Sequence, residues 1–258
     1  MEMKIDSRHI HFCFDRVIAG DNKIEAMNRA IYEDKRNKPV LTRLPGMSVS
    51  PQKMALITGK MWSTGRVLNI CFLDGSKIQR NKTIAHASGW LKYANIGFSF
   101  NSAQARSDIR ISFESDPGSW SYIGTDNINI PKNKPTMNFG WLTDNTADEE
   151  YNRVVLHEFG HALGCIHEHQ NPKGGLKWNE EAVYKFFAGP PNNWSRDDTY
   201  QNVIQKYSLD QLNATKFDPK SIMLYSFPAE LLMSGVGTQE NDKLSRSDML
   251  YIRKMYPK

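Results

Sequence analysis

The chain has 258 residues, 40% hydrophobic and 24% charged, so it can bury a sizeable core as an ordinary globular protein without cross-links. Its net charge of +5 is spread out: residues 1–53 hold ten Lys or Arg against seven acids and the remainder 23 against 21, with no block of like charge long enough for a nucleic-acid patch. No apolar run approaches the roughly 18 residues of a membrane span, and an odd set of three cysteines, Cys13, Cys71 and Cys165, gives no disulfide framework.

The opening stretch from Met1 to Asp6 is charged and lacks an apolar core, unlike a secretory signal peptide. The alternatives are a chain that stays inside, one that is cytoplasmic before export and leaves by another route, and one that has been trimmed. Residues 1–53 read as an extension, with Pro39, Pro45 and Pro51 marking the connection to a domain over residues 54–258. The stretch from Gly65 to Leu73 is β-branched and aromatic and stops at Asp74-Gly75, a turn signal, which predicts a strand. Ile84, Ala87 and Leu91 then recur at helical spacing with Trp90 alongside, until Asn95 to Gly97 closes the pattern before Phe98-Ser99-Phe100. From Asp108 to Phe113 polar and apolar residues alternate strictly, which predicts a strand with one wet face. Stretches from Gly118 to Gly124 and from Thr136 to Gly140 complete a sheet of about five strands.

A helix follows, opening in Asp148-Glu149-Glu150, where acids suit the positive end of the helix dipole. It carries His157-Glu158-Phe159-Gly160-His161-Ala162-Leu163-Gly164-Cys165-Ile166-His167. His157 and His161 are four apart, so they project from one helix face and can reach one metal ion. Gly164 can take the left-handed conformation that ends a helix and turns the chain, bringing His167 back toward the same ion. Three imidazoles leave one coordination position open, which separates a catalytic zinc site from a closed structural one. Glu158 adjoins the first histidine, in position to act on a metal-held water without binding the metal. Downstream, Asn179 can cap a helix running to Phe187, Ser195 and Asp198 form a capping-box start for another through Val203, Ile204 and Tyr207, and Leu244 to Asp248 opens a terminal helix with Leu250, Ile252 and Met255 facing the core.

The histidine pattern H-E-x-x-H-x-x-G-x-x-H, with Ser221-Ile222-Met223-Leu224-Tyr225 placing Met223 56 residues after His167, resembles the metzincin metallopeptidases. Glu168 after the third histidine, and Tyr225 two residues after the methionine, look like the astacin branch. Astacins usually carry Phe where this chain has Cys165 and usually hold two disulfides, so the resemblance is to a divergent, bacterial-type, astacin-like form. It implies an α+β, zincin-like (metzincin) fold: a mixed twisted sheet of about five strands over an active-site helix, with a mostly helical C-terminal subdomain. It also implies one catalytic zinc on His157, His161 and His167, Glu158 as general base, Met223 as the apolar floor of a methionine turn, and Tyr225 hydrogen-bonding the oxyanion.

The function that follows is a zinc-dependent endopeptidase acting on protein or peptide substrates, with an exported bacterial effector or toxin as the expected role, secreted and monomeric, with neither nucleic acid nor a membrane span among its partners. Two other classes, a zinc hydrolase of a non-peptide amide and a binding module on the same fold, are separated from it by a substrate screen and by the intact Glu158. His169 and Glu168 are expected to play structural parts, and Cys165 to be a small buried hydrophobe. The Gly118 to Gly124 stretch is a candidate edge strand for pairing with substrate. Latency in this clan commonly comes from a pro-segment residue that occupies the open zinc position. His11-Phe12-Cys13-Phe14-Asp15 does not match the matrixin cysteine motif, and Gly20-Asp21 matches half of the astacin one. Residues 1–53 thus read as a pro-segment, a docking or export element or a packed subdomain, and the expectation, with neither latency motif intact, is that they are separable from the chemistry.

Overall fold

The computed structural model describes residues 13–16, 18, 22–39, 59–115, 118–190, 192–206 and 216–258. Gly20-Asp21, Pro45, Pro51, Met54 and Tyr207 lie outside the described residues.

Six strands form one sheet: β1 (Phe14–Arg16), β2 (Val67–Phe72), β3 (Gly97–Ser99), β4 (Ile109–Ser112), β5 (Ser119–Tyr122) and β6 (Met137–Phe139), in the order β1-β5-β6-β4-β2-β3. The five strands expected between residues 65 and 140 are β2 to β6. The sixth comes from the N-terminal extension. β2, β3, β4 and β6 pair in parallel, β5 runs antiparallel to β6, and β1 pairs in parallel with β5. The sheet is mixed, and β5 would be its edge if β1 were withdrawn.

One expectation about β4 is overturned. All four of its residues are buried, because Arg110 is fully buried where a wet face was predicted. Its guanidinium finds its partners inside, donating to the carbonyls of Lys134, Ser107, Asp108, Asn127 and Ile130. Alternation reports polarity, and a long cation with a full set of carbonyl acceptors satisfies burial as well as water does.

Helix α1 spans Asn22–Glu33, α2 Lys77–Ala87, and α3, the histidine helix, Asp148–Ala162. α2 packs on α3 beneath the sheet. A capping box starts α2, with Ser76 accepting from the Gln79 backbone and Gln79 reaching back. α3 is buried nearly all round, as a helix crossing the centre of a domain must be. Its last carbonyls lie away from water and are met by side-chain donors, Trp62 Nε1 to Ala162 O at 2.8 Å and the Tyr256 hydroxyl to Leu163 O at 2.7 Å.

Beyond α3 the chain is looped, with α4 (Glu180–Phe187), a short α5 (Arg196–Thr199) continued by a π-helical turn Tyr200–Ile204, and α6 (Arg246–Met255). Asn179 caps α4 through its backbone carbonyl, which accepts from Val183 N, and its side chain makes no capping bond. Ile252 and Met255 face the core, but Leu250 is 56% exposed. Asp248, Ile252 and Met255 share one helix stripe at spacings of four and three, and Leu250 lies on the opposite side.

The extension is built into this body. Asn37, fully buried, donates from Nδ2 to the carbonyls of Ala30 and Met61 and accepts from Met61 N. Arg66 bridges Glu33 and Asp108, and Arg36 donates to Met255 O.

Candidate metal centre and active site

α3 supplies His157, Glu158 and His161. Gly164 adopts φ +97°, in the left-handed region that favours glycine, and the chain turns back so that His167 faces the helix. The outcome is a cage: His161 Nε2 lies 3.2 Å from His157 Nε2 and 3.0 Å from His167 Nε2. His157 Nδ1 contacts Ile222 O at 2.8 Å and His161 Nδ1 contacts Cys165 O at 3.0 Å. A carbonyl oxygen only accepts, so both Nδ1 atoms carry the proton and both Nε2 atoms point lone pairs at each other. Two facing lone pairs repel, and a cation between them removes the conflict. Tetrahedral zinc with Zn–N near 2.0–2.1 Å would set the nitrogens roughly 3.3 Å apart, close to what is found. Burial, followed by the neighbouring imidazoles, holds His157 well below the ordinary imidazole range, in the neutral form a ligand needs. The donor set fits zinc.

A second loop supports the cage from below. Asp248, near the start of α6, accepts from Ser221 Oγ at 2.7 Å, from Ile222 N at 2.9 Å and from Ser245 N at 2.9 Å. The tight turn so fixed presents the Ile222 carbonyl to His157 and seats Met223 against α3. A Cβ on Gly160 would lie 2.4 Å from Met223 Sδ, so glycine at that position is what lets the methionine approach. Burial pushes the Asp248 carboxyl up from its ordinary value, against hydrogen bonds that favour its ionised form.

The structure brings His157, Glu158, His161, His167 and Tyr225 together, and adds Cys13. The Cys13 sulfur and the three Nε2 atoms all lie within 4.8 Å of one another, and the thiol donates to Glu158 Oε2 at 3.2 Å. The Tyr225 hydroxyl donates to Cys13 O at 2.9 Å and is in close contact with His167 Nε2. Cys13 thus approaches the cage from the side the three imidazoles leave open. Two residues that sequence reasoning did not place in the site are Cys13 and Asp248. No motif matched at Cys13, and Asp248 was read only as part of the stretch that opens the terminal helix, where the structure shows it completing a capping box with Ser245.

The other candidates take structural places. His169, fully buried, bonds through Nε2 to Asn202 O at 3.1 Å and stacks on His167. Glu168 accepts from Asn171 Nδ2 and Asp218 N, and burial pushes its carboxyl up to about 7. Cys165 is buried, and burial pushes its thiol up as well, the state of an inert core residue.

Fold and site together define a zincin-like α+β peptidase around one zinc centre. The solved structures agree. Two structures of myroilysin share 41% sequence identity over 77% of this chain, one with TM-score 0.75 over 96% of its own length and the other with TM-score 0.62 over 86%. High choriolytic enzyme 1, a hatching enzyme zinc-protease from Oryzias latipes (medaka fish), shares the fold at 19% identity and TM-score 0.52, covering 76% of this chain and 94% of its own. No family model matches the chain, and no curated protein does. The chain belongs to the metzincin zinc metallopeptidases, in their astacin-like branch, and is a zinc metalloendopeptidase.

Proposed function

We propose that the protein hydrolyses peptide bonds in protein substrates at the cage of His157, His161 and His167, and that the extension holds it latent through Cys13. The observation that carries this reading is the convergence of three imidazole Nε2 atoms, the Glu158 carboxylate and the Cys13 sulfur on one point. Zinc bound there supplies a Lewis acid for the scissile carbonyl and acidifies the water beside it.

The remaining steps belong to the chain. Glu158, 1% exposed and one residue from a ligand, takes the proton of the attacking water and returns it to the leaving amide nitrogen. The Nδ1 bonds to Ile222 O and Cys165 O fix the tautomer and orientation of the two helix histidines, and keep their lone pairs on the metal side. Tyr225, which donates to the Cys13 carbonyl in this state, is placed to donate to a substrate oxygen as negative charge develops there. We read the Met223 turn as the methionine turn of the family: its packing on Gly160 is a floor, with no chemical step of its own.

Cys13 occupies the position substrate needs. Its thiol holds Glu158, its carbonyl holds Tyr225, and β1 seals β5, so one segment engages the base, the oxyanion donor and the sheet edge. A peptidase carried in that state suits a protein made in one compartment and acting in another, and we assign it an exported role, as an effector or toxin.

The test is metal analysis combined with identification of the termini of products in a complex protein mixture. One zinc per chain is expected, and, in the chain opened by Cys13→Ala, cleavage abolished by a strong chelator and restored by zinc. Full activity after chelation would overturn the reading.

A further inference from the structure

We propose that the indole face of Trp120 is a subsite that selects Arg or Lys two to three residues before the cleaved bond. The proposal rests on the peptidase reading above and adds a substrate preference to it. β1 lies where an extended substrate would add to the sheet, and its register is fixed: Phe14 opposite Trp120 and Arg16 opposite Tyr122. Residues two apart share a sheet face, so Arg16, Trp120 and Tyr122 project on the same side, and Arg16 reaches diagonally back to Trp120. Its guanidinium carbon stands 4.1 Å from the centroid of the indole, inside the range of a cation–π contact. Among the described residues Arg16 makes no ion pair, so the ring is what receives the charge. Tyr122 meets the same indole edge-on at 6.0 Å and walls one side of the platform. With the extension in place Trp120 is 4% exposed. Withdrawal of β1 would uncover an aromatic face already shaped around a cation.

Direction gives the position. β1 starts at Cys13, against the cage, and runs parallel to β5, so β5 leads away from the site. A substrate pairing in the somewhat more stable antiparallel sense runs toward the site. Its residues over Tyr122 and Trp120 then precede the scissile bond. At about 3.3 Å per residue, the Arg16 level is some two to three residues from the reacting carbonyl.

The experiment uses the zinc-loaded full chain carrying Cys13→Ala, Asp15→Pro and Arg16→Pro, to open the site, remove the resident cation and take two backbone donors from the β1–β5 ladder so that β1 is released, with Glu158→Gln to prevent turnover. Eight-residue peptides with a single Arg at each position in turn are titrated calorimetrically beside twins carrying norleucine or citrulline, which remove the charge. The Glu158 form cuts the same peptides, and the products fix the register. The expected result is an Arg peptide, with Arg two or three residues before the bond, that binds roughly three- to thirtyfold tighter than both twins. Trp120→Phe should reduce the advantage and Trp120→Leu should remove it. Equal binding of the twins at every position overturns the proposal without any change at Trp120, as does an advantage that survives Trp120→Leu. An Arg preference in binding with no cleavage by the Glu158 form supports the subsite and counts against the peptidase reading alone.

Discussion

Glu158 adjoins His157, and on the proposed reading it handles protons while the imidazole holds the metal, so its replacement separates two roles that proximity alone would merge. Glu158→Ala should keep one zinc per chain and lower turnover of a peptide by about 10²-fold to 10⁴-fold or more, whereas His161→Ala should lose metal and activity together. Zinc content and initial rates measured on both variants decide it, and hydrolysis near the parent rate in Glu158→Ala would remove the general base. Tyr225 acts later. Its hydroxyl donates to the Cys13 carbonyl in this state, and on the proposed reading it turns to the substrate oxygen once Cys13 is withdrawn, a bond that gains strength as that oxygen becomes charged. In a chain opened by Cys13→Ala, Tyr225→Phe should lower kcat about 10²-fold while KM and zinc content stay close to those of the opened parent. An unchanged kcat would reduce Tyr225 to packing.

At the scale of elements, the cage is held by three segments far apart in sequence. α3 gives two histidines and Glu158, the turn at Gly164 gives the third histidine, and α6 holds the turn at Met223 through Asp248. Asp248 reaches the metal site through two links, since it fixes Ile222 and the Ile222 carbonyl orients His157. Removal of such an outer partner typically costs 10-fold to 100-fold in metal affinity. Asp248→Ala should therefore weaken zinc binding by about that factor and lower Tm, because Ser221 and Ile222 N lose their acceptor inside the protein. Competition with a chelator of known affinity measures the first effect, and unchanged zinc affinity would show that the turn holds itself. The same scale explains why the strand pattern misled at β4. Alternation located the strand, but Arg110 was assigned to water when five carbonyls from residues 107 to 134 surround it.

Over the whole molecule, the extension and the domain beyond it share one sheet, so the latency proposed for Cys13 would be a property of topology. Cys13→Ala in the full chain should raise hydrolysis of a short unstructured peptide by at least about tenfold, because it removes the sulfur from the open side of the cage, while β1 on β5 still slows access by a longer substrate. Rates on a short and a long peptide, compared between the full chain and this variant, test that division. Equal rates in both proteins on the short peptide would mean the sulfur does not restrain the site.

The sequence by itself determined the metal chemistry. Spacings of four and six between histidines, a glycine that can turn left-handed and a carboxylate beside the first histidine are local constraints, and local constraints survive in any context that forms the helix. It also located β2 to β6, α3, the capping box at Ser195 and the start of the terminal helix, because each rests on periodicity or on contacts within four residues. Only the tertiary structure decided what fills the open side of the cage. Cys13 and Glu158 are 145 residues apart, and no short-range pattern records that β1 adds to the edge of β5. The same holds for Asp248, whose carboxylate serves its own helix start and, from the same atoms, the turn beneath His157. A capping residue looks alike in sequence whether its second partner is water or the support of a metal site, and the fold alone distinguishes the two.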